Sequence, residues 1–368
     1  MKKTRMKTIA LALAALALTA GAAFAAPEIS NVAAKQRYPW NGKVDITFDV
    51  AGDLREGLQE DMCPAIVVSA IDNAAGTTNI ASAAALSGDT GWEEGPHHVV
   101  WDLDAEGLES ALVGNVEFKV GYRGRYWLYC VVDLSSGAAS YTNEEPAGGF
   151  NADEYKTGSL VLRRIDAGSF KMCGQYDVTL TKPYYMAMFE TTQKQYELVT
   201  GETPSCDKGD ARPVETVSWN AVRGDLSDPT FMGMIRAKTS LKLDLPTEAQ
   251  WEYACRAGTT NEYNNGGDSE DDLKKLGRYD GNATDGKGGF SDAHTTAGSY
   301  LANAWGLYDM HGNAGEWCLD VHGTLTGGED PAGAASGTYR VIRGGNCYSD
   351  ADKCTSSFRS RGRPTYED

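Results

Sequence analysis

The chain has 368 residues, a formal net charge of −17 at pH 7 and eight cysteines. That length is sufficient for two domains, each with its own core. A protein this acidic is a poor partner for nucleic acid or an anionic membrane surface, because both repel negative charge. The acidic composition therefore argues against a nucleic-acid-binding protein.

The N-terminus predicts a secretory signal peptide at residues 1–25. A basic start and an apolar run at residues 9–20 precede a small-x-small cleavage site at residues 23–25. The apolar run is too short for a transmembrane helix, and no other run approaches the length that one requires. We therefore predict no transmembrane segment and export to the periplasm, the extracellular space or the cell surface.

All eight cysteines follow residue 25. An even number of cysteines in an exported chain favours disulfides. No Cys-x-x-Cys motif occurs, which argues against a zinc ribbon and a thioredoxin motif. The spacing leaves the connectivity open, although Cys63 with Cys130 is the natural pair for a first domain that holds only these two.

Residues 26–134 are predicted to form an all-β sandwich of immunoglobulin-like type. The stretch 43–50 alternates apolar and polar residues strictly, which is typical of a half-buried antiparallel strand. Turns rich in Gly and Asp separate four further strand-like runs, at 64–70, 98–102, 116–122 and 127–133. His97 and His98 are adjacent and would point to opposite faces of a strand, so we predict no metal site there.

Residues 135–158 are predicted to be a linker, because they are rich in small and polar residues. The second domain is predicted to span residues 159–368 and to contain two helices that begin with capping boxes. Thr192 precedes Gln195 by three residues, and Thr247 precedes Gln250 by the same spacing. The predicted helices span 192–200 and 247–257, each followed by a glycine.

The stretch NAWGLYDMHGNAGEWCLD, residues 303–320, is too rich in glycine for a helix and too interrupted for a strand. Its glycines permit turns that direct backbone carbonyls inward, and Asp309 and Glu316 add carboxylate oxygens. Such oxygen sets suit Ca²⁺. The alternative is a structural loop held by Trp305 and Trp317 without an ion, because the stretch lacks the EF-hand spacing.

Five stretches of the second domain carry a resemblance to a known family. They are VTLTKPYYMAMFETTQKQYELVTG at 178–201, RPVETVSWNAV at 212–222, LPTEAQWEYACRAGT at 245–259, the loop at 303–320 and YRVIRGGN at 339–346. Together they resemble the formylglycine-generating enzyme family, also called the sulfatase-modifying factor family. The resemblance implies an irregular α+β domain of the C-type lectin class, and the first domain has no such match.

The resemblance also implies a calcium site in the loop. Two side chains and two backbone carbonyls would hold the ion, at Asp309, Gly312, Ala314 and Glu316. A second, weaker calcium site is implied near Asn282 and Asp285, where the spacing departs from the family pattern.

The activity that the resemblance implies is the oxidation of a substrate cysteine to formylglycine by Cu⁺ and O₂. It requires two cysteines, five residues apart, whose soft thiolates bind copper. Cys354 matches the second of these cysteines, but Ser349 occupies the position of the first. Cys347 either substitutes for the missing ligand, forms a disulfide with Cys354 or pairs elsewhere.

Two functions of different classes follow. The first is a calcium-stabilised binding module or pseudoenzyme for a protein or glycan ligand. Residues of a type common in adaptable binding loops would form its recognition loop: Asn346, Tyr348, Ser349, Asp350 and Arg359. The alternative is a copper- and O₂-dependent oxidase of an exported sulfatase, with Cys354 as the reactive thiol and Cys347 as its partner. Family members usually continue beyond the sequence RGRPTYED with a Gly-Phe-Arg strand, so either the sequence is truncated or the domain is completed differently. A missing strand would leave an open sheet edge.

Overall fold

The structure is a computed structural model. It describes residues 28–37, 41–55, 58, 62–73, 77–108, 116–226, 229–283 and 293–367. The predicted signal peptide lies outside these residues. The chain divides into two compact units, Met1–Tyr126 and Trp127–Asp368. None of the described helices combines the length and the apolar character needed to cross a lipid bilayer.

The described part of the first unit is built from seven strands. They are β1 Glu28–Gln36, β2 Lys43–Ala51, β3 Met62–Asp72, β4 Thr77–Ile80, β5 Leu86–Gly88, β6 Gly95–Asp102 and β7 Val116–Tyr126. All neighbouring strands pair antiparallel, in two sheets of order β1-β2-β6-β5 and β4-β3-β7. The predicted all-β character of this region is therefore confirmed.

One hydrophobic core joins the two sheets of the first unit. The alternating residues of β2, Val44, Ile46 and Phe48, are at most 1% exposed, and they share this core with Val68 of β3 and Trp101 of β6. The period of two predicted from the sequence is thus the pattern that builds the core.

The two adjacent histidines of β6 point to opposite faces, as predicted. His97 is 7% exposed, and its ring stacks on Phe48 with 5.2 Å between the ring centroids. The side chain of His98 is 52% exposed and contacts Asp45 at 2.9 Å. The two rings therefore do not share a site.

The described part of the second unit mixes short helices with small sheets. Its strands are β8 Tyr129–Asp133, β9 Ala139–Thr142, β10 Ser159–Ile165, β11 Gly168–Met172, β12 Tyr176–Leu180, β13 Tyr184–Ala187, β14 Glu316–Val321, β15 Gly328–Glu329, β16 Arg340–Arg343 and β17 Ser360–Gly362. Its helices are α1 Asp153–Thr157, α2 Gln193–Thr200, α3 Trp219–Val222, α4 Phe231–Thr239, α5 Glu248–Arg256, α6 Glu270–Leu273 and α7 Asp280–Ala283. The sheet orders are β13-β10-β8-β9, β11-β12-β15 and β14-β16-β17. This is an α+β domain, as the resemblance implied.

The boundary between the units differs from the predicted one at residue 134. The strand β8 pairs with β10, with Val131 opposite Val161, and therefore belongs to the second unit. The predicted linker 135–158 contains β9 and α1, and its Phe150 is 3% exposed. The segment was predicted to be a linker because most of its residues are small and polar. The few apolar residues that anchor it are widely spaced and gave no periodic pattern.

Both predicted capping boxes are present. At α2, the Thr192 side chain accepts from the Gln195 amide at 3.2 Å, and the Gln195 side chain accepts from the Thr192 amide at 2.9 Å. The same reciprocal pair of hydrogen bonds starts α5. The helix α5 ends at Arg256, and its C-cap residue is Ala257, which adopts a left-handed φ of 44° before the glycine that follows.

A buried carboxylate lies at the N-terminus of α5 and provides a pH-dependent contribution to stability. Asp320 is 4% exposed and accepts from the Glu248 amide at 2.8 Å, and burial raises its pKa to about 6. The native state therefore holds this proton more tightly than the unfolded chain does. The free energy of unfolding should fall as the pH rises from about 4 to about 6 and level off above that.

We expect Asp320→Asn to remove that fall, because asparagine keeps an acceptor for the Glu248 amide without the buried charge. At neutral pH the variant should be more stable by on the order of 1–2 kcal/mol. Urea unfolding across the pH window measures the slope. Asp133→Asn is the control, because Ser135 lowers the pKa of that exposed carboxyl and its slope has the opposite sign. An unchanged slope in Asp320→Asn would show that another group titrates.

Candidate functional site

The loop at residues 303–320 contains left-handed backbone conformations, which glycine and asparagine adopt more readily than other residues. Gly312 has a φ of 92° and Asn313 a φ of 63°. A Cβ at Gly312 would collide with the Arg278 carbonyl oxygen. The Gly312 amide donates to the Gly344 carbonyl at 2.8 Å, and the Asn313 amide donates to the Arg278 carbonyl at 2.7 Å. These contacts fix the direction of the peptide planes around residue 312.

Several of the oxygens predicted to hold calcium accept no hydrogen bond. Asp309 is 1% exposed, and its Oδ2 accepts from the Gly298 amide at 2.6 Å. Its other oxygen, Oδ1, is buried without a hydrogen-bond partner. Nothing in the described part of the chain donates to the carbonyls of Gly312 or Ala314. Three of the four predicted ligand atoms therefore have unused acceptor capacity.

Glu316 supplies the fourth predicted ligand from the first residue of β14. Its Oε2 accepts from the Trp251 indole at 3.0 Å. The residue as a whole is half-buried, but its carboxyl end lies against Trp251, and burial raises its pKa to about 7. Burial likewise raises the pKa of Asp309 to about 6. Two buried carboxylates of this kind favour a site that a cation neutralises.

A third buried carboxylate borders the loop, and the sequence analysis did not identify it. Glu190 is 8% exposed and accepts from the Asn313 side chain at 2.6 Å and from the Ala314 amide at 2.7 Å. Burial, and then the charges of Asp309 and Glu316, raise its pKa well above its ordinary value. It was missed because it lies more than a hundred residues away in the sequence, just before the N-cap of α2.

The residues at this loop fit a calcium ion. No three His, Cys, Asp or Glu side chains within the described ranges are arranged to hold a metal by themselves. A cation here would therefore depend on backbone carbonyls as well as carboxylates. Ca²⁺ is commonly bound by such a mixture of carboxylate and carbonyl oxygens. The unpartnered Oδ1 of Asp309 is the atom that most needs such an ion.

The second, weaker calcium site receives no support from Asn282. Its side chain accepts from the Tyr279 amide at 2.9 Å and donates to the Gly277 carbonyl at 3.0 Å. Asp285 lies outside the described residues.

The two cysteines considered for copper are buried thiols. Cys347 and Cys354 are each 0% exposed, and burial raises the pKa of each to about 12. Cys347 packs with Ala283 and Ala293, whereas Cys354 packs in a different cluster around Tyr263. Ser349 binds the Asn346 side chain at 2.9 Å. Copper(I) does not fit these two residues as they stand, because it requires accessible, deprotonated thiolates.

The predicted disulfides are not present. No sulfur–sulfur bond occurs among the eight cysteines, all of which lie in the described ranges. The reasoning for Cys63 with Cys130 was wrong, because Cys63 lies in β3 of the first unit and Cys130 in β8 of the second. Cys347 and Cys354 are free thiols.

Four residues of the predicted recognition loop form one turn. The Asn346 side chain accepts from the Tyr348 amide at 3.1 Å and from the Ser349 hydroxyl at 2.9 Å. Tyr348 is 51% exposed, and its ring meets the edge of His294 at 6.4 Å between centroids. Asp350 pairs with Lys353 just beyond the turn. The turn is therefore organised from within and presents one tyrosine to solvent.

Arg359 does not belong to this turn. Its guanidinium donates to both carboxylate oxygens of Glu248, at 2.6 and 2.7 Å, and to the Gly323 carbonyl at 3.0 Å. A bidentate pair with a glutamate that is 1% exposed is a structural contact. Proximity in sequence did not reveal this partner on α5, and the place of Arg359 in the recognition loop stays a prediction.

Comparison with known proteins gives one family match and several partial relatives. The model described as "Sulfatase-modifying factor enzyme 1-like domain" matches residues 146–368. Formylglycine-generating enzyme of Streptomyces coelicolor is 33% identical over 162 residues, which cover 41% of this chain and 45% of that protein. Serine/threonine-protein kinase pkn1 of Chlamydia caviae is 37% identical over 126 residues, covering 33% of this chain and 18% of the kinase.

Among solved structures, Treponema denticola variable protein 1 aligns with a TM-score of 0.49 and 24% identity, covering 57% of this chain and 91% of that one. The chain spans less than half of the formylglycine-generating enzyme and less than a fifth of the kinase. The family match, in contrast, takes in more than half of this chain. The chain therefore belongs to the sulfatase-modifying factor enzyme family, through the domain at residues 146–368.

Proposed function

We propose that the second unit is a calcium-stabilised binding module without copper oxidase activity. The observation that carries this proposal is the set of unpartnered oxygens at Asp309, Gly312 and Ala314. A bound Ca²⁺ would neutralise the buried carboxylates and cross-link the two ends of the loop. The exposed Tyr348 at the tip of the Asn346–Asp350 turn would then stand on a rigid support.

The oxidase is the alternative, and it is favoured by the partial identity to formylglycine-generating enzymes. Three observations support the binding module over it. Ser349 stands at the position of the first copper cysteine and is used within a turn. Cys347 and Cys354 are fully buried, and burial keeps both protonated at neutral pH. A redox site needs thiolates that a metal or a substrate can reach.

Calcium titration tests the proposal. We expect calorimetry on the full chain to show one Ca²⁺ per protein, and Asp309→Asn to weaken binding at least about tenfold. Asp350→Asn is the matched control, since that exposed carboxylate pairs only with Lys353. A wild-type chain that binds no Ca²⁺, or an Asp309→Asn variant that binds like wild type, would refute the site.

A thiol assay tests the absence of oxidase chemistry. With each pKa at about 12, only a minute fraction of Cys347 and Cys354 is thiolate near neutral pH. We expect both to react with a disulfide reagent only after unfolding, and the native chain to bind no Cu⁺ tightly at this pair. The exposed Cys206 is the internal control for fast labelling. Tight Cu⁺ binding that Cys354→Ser abolishes would restore the oxidase.

We infer further that the first unit is an immunoglobulin-like sandwich and that the chain is exported. The sheet order β1-β2-β6-β5 corresponds to A-B-E-D of an immunoglobulin domain, and β4-β3-β7 supplies three strands of the facing sheet. The basic and apolar N-terminus supports export. N-terminal sequencing of the protein recovered from the producing cell tests the cleavage after residue 25.

A further inference from the structure

We propose that Glu190 is a positioning residue of the calcium loop, which sets both the direction of the loop's ligands and the charge of the site. The inference rests on the proposed calcium site. Glu190 lies in the segment between β13 and α2, so the proposal connects the ion to a part of the domain distant in sequence.

The segment 188–190 runs alongside the loop. The Tyr308 amide donates to the Met188 carbonyl at 2.9 Å, and the rings of Phe189 and Tyr308 stack with 4.8 Å between centroids. Glu190 follows directly and reaches the far side of the loop at Asn313 and Ala314. One short segment therefore contacts the loop both just before the predicted ligand set and within it.

Both carboxylate oxygens of Glu190 are engaged by the loop. Oε1 accepts from the Ala314 amide at 2.7 Å and Oε2 from the Asn313 side chain at 2.6 Å. Glu190 thus acts on the site through the loop, by fixing the donors at Asn313 and Ala314. The bonds hold Asn313 in its left-handed conformation, with a φ of 63°, and this conformation sets the relative direction of the carbonyls at Gly312 and Ala314.

Charge is the second part of the role. The charged neighbours that act on Glu190 are Asp309 and Glu316, the two carboxylates of the predicted ligand set. In the ion-free loop these three carboxyl groups oppose one another's ionisation, and a bound cation would favour the charged form of all three. Since Coulomb attraction scales with ion charge, Glu190 should contribute more to binding a trivalent ion than a divalent one.

The test compares Ca²⁺ and Tb³⁺ affinities of the wild-type chain, Glu190→Gln and Glu190→Asp. Glutamine removes the negative charge. Its NH₂ group also faces one of the two loop N–H donors, so one of the two hydrogen bonds is lost. We expect Glu190→Gln to weaken Ca²⁺ binding by about 10- to 100-fold and Tb³⁺ binding by a larger factor. Glu190→Asp keeps the charge, so it should preserve the ratio of the two affinities even if the shorter side chain weakens both.

Glu248→Gln is the matched control, because Glu248 is also buried but pairs with Arg359 outside the loop. It should leave both affinities unchanged. Wild-type affinity in Glu190→Gln, or equal losses for both ions, would overturn the role of Glu190 while the calcium site stands. A wild-type chain that binds neither ion would refute the proposed function itself.

Discussion

Replacing Arg343 with methionine is expected to lower the free energy of unfolding of the second unit by about 3 kcal/mol. Arg343 is fully buried, with an exposed fraction of 0%. It pairs with Glu252 and lies 3.5 Å from Glu248, and its guanidinium packs 5.0 Å from the centre of the Trp251 ring. Methionine matches part of the volume but leaves these buried carboxylates without their shared cation.

The expected cost lies at the low end for a broken buried pair because each glutamate keeps another arginine. Arg256 donates to Glu252 at 2.9 Å, and Arg359 binds Glu248 through both oxygens. Arg343 also donates to the Ser356 carbonyl at 3.0 Å. The loss therefore includes the anchor of the C-terminal segment, as well as the charge pair.

Chemical denaturation measures this difference. Lys353→Met is the matched control: its pair with Asp350 is exposed on both sides, and such pairs contribute little to stability. The double variant Arg343→Met with Glu252→Gln should recover part of the loss, because the uncompensated charge is removed. If Arg343→Met unfolds no more easily than Lys353→Met, the buried network does not stabilise the domain.

Local sequence patterns predicted those features that depend on neighbouring residues. The alternation at 43–50 gave a strand with its apolar face in the core, and Thr192 and Thr247 began helices through bonds that span three residues. The motif at 303–320 identified Asp309 and Glu316 as candidate ligand carboxylates, because glycines and carboxylates occur together in one stretch.

Local sequence patterns did not predict features that depend on contacts between residues far apart in the sequence. The sequence of the strand 129–133 does not show which sheet it joins. Its pairing with β10 places it in the second unit and so sets the domain boundary. The sequence analysis did not single out Glu190 and placed Arg359 in the recognition loop, because the partners of both lie more than a hundred residues away. The even cysteine count suggested disulfides, but pairing requires Cβ atoms to approach within about 4.5 Å, which composition does not reveal.

Calcium removal is expected to destabilise the second unit and to leave the first unit unaffected. An ion that binds only the folded state, at about a thousandfold excess over its Kd, adds about 4 kcal/mol to the free energy of unfolding. Chelation removes this term and restores repulsion between Asp309 and Glu316, which no longer share a counter-ion. The first unit provides the internal reference, since none of the predicted ligands lies in it.

Hydrogen exchange with and without chelator measures the effect residue by residue. The amides of Asn313 and Ala314, bonded to the Arg278 carbonyl and to Glu190, should exchange much faster after chelation. Amides of β2 should not change. Asp309→Asn should need a higher Ca²⁺ concentration than the wild type to regain protection at these positions, in proportion to its weaker affinity. Equal protection of the loop with and without Ca²⁺ would mean that its hydrogen bonds alone hold it, and that the ion is not part of the folded domain.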